Sequence, residues 1–120
     1  ARHLLPRNIM DVDENKSIGL LTFGTNGPAV EEARDLLAKR GIETNYLRVR
    51  ALPLEDDVAD FIASHERVYV LENNFDGQLH QIIRMEHPED VRHVISVTLG
   101  DGLPMTAQWV INEITTRENA

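Results

Sequence analysis

A chain of 120 residues is near the commonest size of a single domain and long enough to bury one core. Hydrophobic residues at 42% and charged residues at 27% exclude a disordered, collagen-like or membrane-spanning chain, while 20 Asp and Glu against 12 Lys and Arg oppose approach to nucleic acid. The lack of cysteine excludes disulfides, a thiolate nucleophile and a cysteine-ligated iron–sulfur cluster within this chain, and fits an intracellular, cytoplasmic setting.

The sequence opens Ala1-Arg2-His3-Leu4-Leu5-Pro6, with no initiator methionine and no apolar stretch of signal-peptide length, so it is expected to begin inside a longer protein. Residues 7–17 are polar and weakly periodic, which predicts a linker within 1–17 that carries one short edge strand. From Ile18 onward a unit of apolar strand, turn and amphipathic helix repeats, the pattern of a βαβ series, and the domain is expected to cover 18–120.

The first strand of that series, Ile18–Phe23, is almost continuously apolar, as expected when helices cover both faces of a parallel sheet. It ends at Gly24-Thr25-Asn26-Gly27. Pro28 suits a helix start, Glu31 and Glu32 complement its positive end, and Lys39 and Arg40 fall in the last turn before Gly41. Val30, Ala33, Leu36 and Leu37 share one stripe of this helix and are expected to face the sheet. A second strand, Thr44–Val49, alternates Leu47 and Val49 with Arg48 and Arg50. The next helix, from about Glu55 to Ser64, turns Val58, Phe61 and Ile62 inward and carries Glu55, Asp56 and Asp57 in its first turn.

Val68–Leu71 reads as the third strand, leading into a loop from Glu72 to Gly77. Leu79, Ile82 and Ile83 then mark a third helix, capped by Asp76 and ending before Pro88. A fourth strand, His93–Thr98, is released by Gly100-Asp101-Gly102. Thr106 caps the last helix, whose Ala107, Val110, Ile111 and Ile114 form its apolar face with Trp109 beside it. The fold class is therefore α/β, a three-layer α/β/α sandwich on a mostly parallel sheet of four to five strands.

In such a sheet the turns after the strands meet at the carboxyl edge, where open α/β folds place ligands. The turn at Gly24 and Gly27 has two readings, a tight strand-to-helix connection or an anion cradle of backbone N–H groups, the first favoured because Pro28 lacks an N–H. Neither a G-x-G-x-x-G fingerprint nor a G-K-[ST] loop is present. Glu72-Asn73-Asn74-Phe75-Asp76-Gly77-Gln78 crowds five hydrogen-bonding side chains at one strand end. Such a cluster either orders its own loop or contacts a partner. The five histidines lack metal-ligand spacing and no serine sits in a G-x-S-x-G elbow, so neither a metal site nor a catalytic residue is assigned.

Three stretches carry a family resemblance: Gly19-Leu20-Leu21-Thr22-Phe23-Gly24-Thr25-Asn26-Gly27-Pro28-Ala29-Val30-Glu31-Glu32-Ala33, then Asn45-Tyr46-Leu47-Arg48-Val49-Arg50, then Val68-Tyr69-Val70-Leu71-Glu72-Asn73-Asn74 with Gly77-Gln78-Leu79. Their order and spacing resemble the C-terminal domain of the alpha subunit of 2-oxoacid:ferredoxin oxidoreductases, the pyruvate and 2-oxoglutarate enzymes. The resemblance implies a transketolase C-terminal-like sandwich with one antiparallel strand, which here has to come from residues 7–14. It also implies a complete enzyme in which thiamine diphosphate with magnesium, iron–sulfur clusters and coenzyme A turn a 2-oxoacid into acyl-CoA and carbon dioxide, reducing ferredoxin. None of those cofactor motifs is present: Gly100-Asp101-Gly102 opens like the magnesium–thiamine motif, but the chain ends before its paired asparagines. The implied role is accessory, packing against the other alpha-subunit domains and a thiamine-binding beta subunit. Glu72, Asn73, Asn74, Gly77 and Gln78 are the candidate interface or loop-ordering residues. Ala51-Leu52-Pro53-Leu54 is shorter than the Pro- and aromatic-rich stretch of many relatives. Two rivals stay open: a nucleotide- or coenzyme-binding module, and an interaction domain of a transketolase or E1 beta-subunit relative.

Overall fold

Strands with both faces covered must be apolar on both, and that requirement organises this chain. In the computed structural model, which describes residues 9–13, 15–50, 56–73, 79–86, 88–100 and 103–119, strand β2 (Ile18–Phe23) lies at the centre of a five-stranded sheet. The other strands are β1 (Ile9–Asp11), β3 (Asn45–Val49), β4 (Arg67–Asn73) and β5 (Val94–Leu99), in spatial order β1-β3-β2-β4-β5. β3, β2, β4 and β5 run parallel, and β1 pairs antiparallel with β3 through Ile9 with Arg48, Met10 with Leu47 and Asp11 with Tyr46. A short edge strand thus lies where the polar opening segment places one, and it supplies the antiparallel member of the sheet.

Side chains alternate across the sheet. Ile18, Leu20, Tyr46, Tyr69, Leu71 and Val97 meet helices α1 (Gly27–Lys39) and α4 (Ala107–Glu118), which supply Val30, Ala33, Leu37, Val110, Ile111 and Ile114. Leu21, Leu47, Val49, Val68 and Val70 meet α2 (Asp56–Ala63) and α3 (Leu79–Glu86), which supply Val58, Phe61, Ile62 and Ile83. The result is the three-layer, mostly parallel α/β/α architecture, with two cores separated by one sheet.

The α2 layer approaches β2 closely because Gly19 has no side chain: the Phe61 ring occupies the space a Cβ would take. Phe61 is itself only 2% exposed, a burial worth about 2–3 kcal/mol. His65 packs against it with ring centroids 4.5 Å apart and the ring planes tilted by 45°. The imidazole contacts Phe61 O through Nδ1 at 2.6 Å and Asn45 Nδ2 through Nε2 at 2.7 Å. A carbonyl can only accept, so Nδ1 carries the proton and Nε2 takes the Asn45 amide hydrogen. Asn45 in turn accepts from Asp13 N and donates to Asp13 O, tying the β1–β2 connection to β3.

At the amino end of the sheet Arg67 donates from Nε and Nη2 to both oxygens of Glu118, each at 2.9 Å, and Tyr69 donates its hydroxyl to the same carboxylate. This clamp fixes the last residue of α4 to the first of β4. The start of α4 is held by Thr106, whose Oγ1 accepts from Trp109 N. Trp109 is partly buried against the α1/α4 core.

Several boundaries differ from the sequence expectation. Leu36 is 37% exposed, because the α1 stripe that reaches the sheet is Val30, Ala33 and Leu37. Glu31 and Glu32 lie beyond the first turn of α1, which starts at Gly27 and has no acidic residue there. His93 closes a 3-10 turn over Pro88–His93, so β5 begins at Val94 and extends to Leu99. Thr44 precedes β3, and β4 continues through Glu72 and Asn73, which are strand residues and not loop. Asp76 and the Gly100-Asp101-Gly102 turn beyond Gly100 lie outside the described residues, as does Glu55.

Candidate functional site

The carboxyl ends of β2, β3, β4 and β5 form one edge of the sheet. The connection after β2 leads across one face through α1, and the connection after β4 leads across the other through α3. Adjacent parallel strands whose connections diverge in this way leave a crevice between their ends, the usual ligand position of open α/β sheets. Thr22 closes the floor of that crevice by donating its Oγ1 hydrogen to Leu71 O at 2.8 Å.

Glu72 and Asn73, the last two residues of β4, are 2% and 4% exposed. Buried carboxylates and amides persist only with partners. Oε2 of Glu72 accepts from the backbone N–H of His80 at 3.2 Å, in the first turn of α3, where the helix presents unsatisfied donors and a positive end. Asn73 donates from Nδ2 to Leu103 O at 3.2 Å, holding the segment that leads into α4. One strand end therefore latches the elements on both faces. Asn74, Gly77 and Gln78 lie outside the described residues. His80, beside this latch, has a pKa lowered first by burial and then by Arg84 one turn along.

For a second group on the same edge, the sequence raised only the Gly24 and Gly27 turn as an anion cradle and did not single out the arginines beside it. Arg48 and Arg50, with Gly24 and Pro28, line an open cleft of about 440 Å³. Gly24 sits at φ +58, a left-handed conformation suited to glycine, and turns the chain from β2 into a 3-10 segment that runs into α1. Gly27, the first residue of α1, also has no room for a Cβ, because the Arg48 side chain lies against it. Tyr46, which donates to Gly27 O at 3.5 Å, has its pKa pushed up to about 12 by burial and by the Glu31 carboxylate, partly offset by Arg48 and Arg34. Arg34 is spent on structure: it hydrogen-bonds Thr44 and Asp11 and lies 5.3 Å from the Tyr46 ring centroid. The available signal for the cleft was the polar alternation Arg48/Arg50 in a strand expected to be covered on both faces.

Among the described residues no three His, Asp or Glu side chains converge as a metal-binding set, and no helix is long and apolar enough to cross a membrane.

No family model matches the chain, and no curated protein matches it in sequence. Solved structures do. The 2-oxoglutarate:ferredoxin oxidoreductase from Magnetococcus marinus, solved with 2-oxoglutarate, coenzyme A and succinyl-CoA bound, matches 96% of this chain at 27% identity and a TM-score of 0.82. The present chain spans 20% of that protein's length. A split-gene transketolase solved as an inactive β4 tetramer matches 92% at 17% identity and a TM-score of 0.72, over 41% of its own chain. The alpha chain of a probable 2-oxoacid ferredoxin oxidoreductase from Thermoplasma acidophilum matches 94% at 18% identity and a TM-score of 0.60, over 97% of its chain. The resemblance carried by the sequence motifs and the likeness of the folded domain thus point to the same proteins, and the fold is transketolase C-terminal-like.

Proposed function

We propose that the chain is the C-terminal accessory domain of the alpha subunit of a thiamine diphosphate-dependent 2-oxoacid:ferredoxin oxidoreductase. The carrying observation is the match of 96% of the chain, at 27% identity, to one fifth of the Magnetococcus marinus enzyme. In this reading residues 18–120 form the domain, with residues 9–11 as its edge strand. It packs against the remaining alpha-subunit domains and a thiamine-binding beta subunit, in the cytoplasm. The complete enzyme uses thiamine diphosphate, magnesium and iron–sulfur clusters to convert a 2-oxoacid and coenzyme A to acyl-CoA and carbon dioxide, passing electrons to ferredoxin.

The contribution of this domain is geometric. Glu72 and Asn73 hold α3 and the approach to α4 in fixed relation at the edge, and Asn74, Gly77 and Gln78 of the same sequence motif are the further candidate contacts to a partner. The domain supplies no catalytic group and binds no thiamine diphosphate by itself.

Calorimetric titration of the chain with thiamine diphosphate and magnesium, with inorganic pyrophosphate in parallel, tests this reading. The expected result is no binding that depends on the thiamine rings. Micromolar binding of thiamine diphosphate, tighter than pyrophosphate, overturns it. The reading frame around the chain is expected to bring a thiamine-binding partner and cysteine-rich cluster sites. A frame resembling transketolase instead favours the second reading, an interaction domain of that class, which the 0.72 TM-score to the split-gene transketolase supports.

A further inference from the structure

We propose that His65, Asn45 and Asp13 form a proton-sensitive fastening, which holds the β1–β2 connection on the sheet while the imidazole is neutral and releases it on acidification. This goes beyond the accessory role and does not rest on it. His65 is 3% exposed and Asn45 is 1% exposed. Every hydrogen in the relay is fixed by a backbone group. Phe61 O, near the end of α2, can only accept, so the Nδ1 hydrogen points at it, as does the Ser64 hydroxyl at 3.0 Å. Asp13 N can only donate and Asp13 O can only accept, so Asn45 turns Oδ1 to the first at 2.7 Å and Nδ2 to the second at 2.9 Å. The other Nδ2 hydrogen is thereby aimed at His65 Nε2, 2.7 Å away, which has to be a bare acceptor.

A proton on Nε2 sets a donor against a donor. Turning the Asn45 amide over answers the new N–H with Oδ1, but sets the amide hydrogens against Asp13 N and takes the Nδ2 hydrogen away from Asp13 O. Withdrawing the ring instead opens its contact with Phe61 over Gly19, inside the core. The first route costs less, because Asp13 is exposed and water takes over its backbone groups. The connection is also built to move as a unit: Lys16 N returns to Asp13 O at 3.2 Å, and Asn15 N to the Asp13 carboxylate at 2.9 Å. Met10 and Val12 on either side of Asp11 are 45% and 47% exposed, so little apolar burial retains the segment. The charged groups around the ring are Asp13 and Lys16 of the connection, which line a recess of about 160 Å³ with His65 and Asn45, then Glu66, the next residue, and the exposed Asp60 of α2. β2 and β3 meet the ring with Gly19 and Asn45, which carry no charge. Among the described residues no carboxylate hydrogen-bonds the ring, so none is placed to accept a second ring hydrogen. The fastening is therefore present while the ring is neutral and lost as the ring gains a proton.

The test is amide hydrogen exchange of the isotopically labelled full chain, read by NMR from about pH 8 to about pH 5, the span in which imidazoles titrate, with rates corrected for the intrinsic pH dependence of exchange. Protection of Asp13 N is expected to fall about tenfold or more on acidification, as it loses its acceptor, while Leu21 and Val70 at the centre of the sheet keep theirs. His65→Gln takes up no proton, so protection at Asp13 should become independent of pH. Asn45→Asp should reverse the sign: its carboxylate accepts from Asp13 N and from a protonated ring together, so protection should rise on acidification. His80→Gln should leave the response at Asp13 unchanged. Constant protection at Asp13 in the wild type, the same fall in His65→Gln, or a fall shared by Leu21 and Val70 overturns the proposal. Should His65→Gln fail to fold, the sign of the response in Asn45→Asp decides.

Discussion

Replacing Gly19 by alanine tests the packing that sets the distance between β2 and α2. The new Cβ would sit 2.7 Å from Phe61 Cε1, 2.9 Å from Cζ and 3.4 Å from His65 Cγ. The ring has little freedom to retreat, since Phe61 is 2% exposed and packed against a histidine that is hydrogen-bonded on both nitrogens. Overpacking of a filled core costs about 1–3 kcal/mol. Against it stands the lower unfolded-state entropy of alanine, a gain of about 0.4–1 kcal/mol where the backbone is compatible, as it is in a strand. The net expectation is a loss of about 1–2 kcal/mol, or a fall of roughly 4–12 °C in Tm for a domain of this size. Thermal and urea unfolding would measure it. A double-mutant cycle with Phe61→Leu supplies the sharper reading, because shortening the ring should relieve the clash and leave the pair less destabilised than the sum. A neutral or stabilising Gly19→Ala, or strict additivity with Phe61→Leu, would refute the argument.

Glu72→Ala removes the acceptor for His80 N, and a loss of about 1–2 kcal/mol is expected, with faster hydrogen exchange across the first turn of α3; unchanged exchange there would show the latch to be idle. In alkali the two tyrosines set the limit. Burial, followed by the Glu118 hydrogen bond for Tyr69 and the Glu31 charge for Tyr46, pushes both up to about 12. Their stabilisation is present below the unfolded value of 10.0 and is lost as pH rises through about 12, so phenolate absorbance should rise near 12 or together with unfolding. Ionisation near 10 with intact circular dichroism would contradict this burial. In acid, His80 is lowered from 6.5, so its contribution is present above 6.5 and lost as pH falls through its folded value. His80→Gln should flatten the decline in urea midpoint just below 6.5. Glu118 follows at lower pH: burial raises it, but hydrogen bonds from Arg67 and Tyr69 outweigh that and hold it below 4.5, so the clamp fails only on further acidification.

The sheet and its helices were legible because burial on both faces imposes apolar runs, and Val30, Leu37, Val58, Phe61, Val110 and Ile114 repeat at helical spacing. The strand end at Glu72 and Asn73 was not. Polar residues before a glycine-containing stretch read as loop, and what keeps them in the strand is a pair of acceptor and donor contacts to His80 and Leu103, which no local pattern encodes. The seat of Arg48 was not legible either. Its alternation with Val49 shows that it lies on the other face of the strand from Val49, but not that Gly27, far earlier in the chain, leaves the space its side chain occupies. Leu36 failed at the margin of its stripe, where a small rotation of α1 decides exposure.

The antiparallel sense of β1 gives the domain a direction. Because Ile9 pairs with Arg48 and Asp11 with Tyr46, the polypeptide enters at the same edge that carries the latch and the arginine cleft. It leaves through α4, whose last residue is clamped to the opposite edge by Arg67. The described chain thus starts at one edge of the sheet, with Ile9, and α4 ends at the other, with Glu118, so the two ends of the described domain lie on opposite edges.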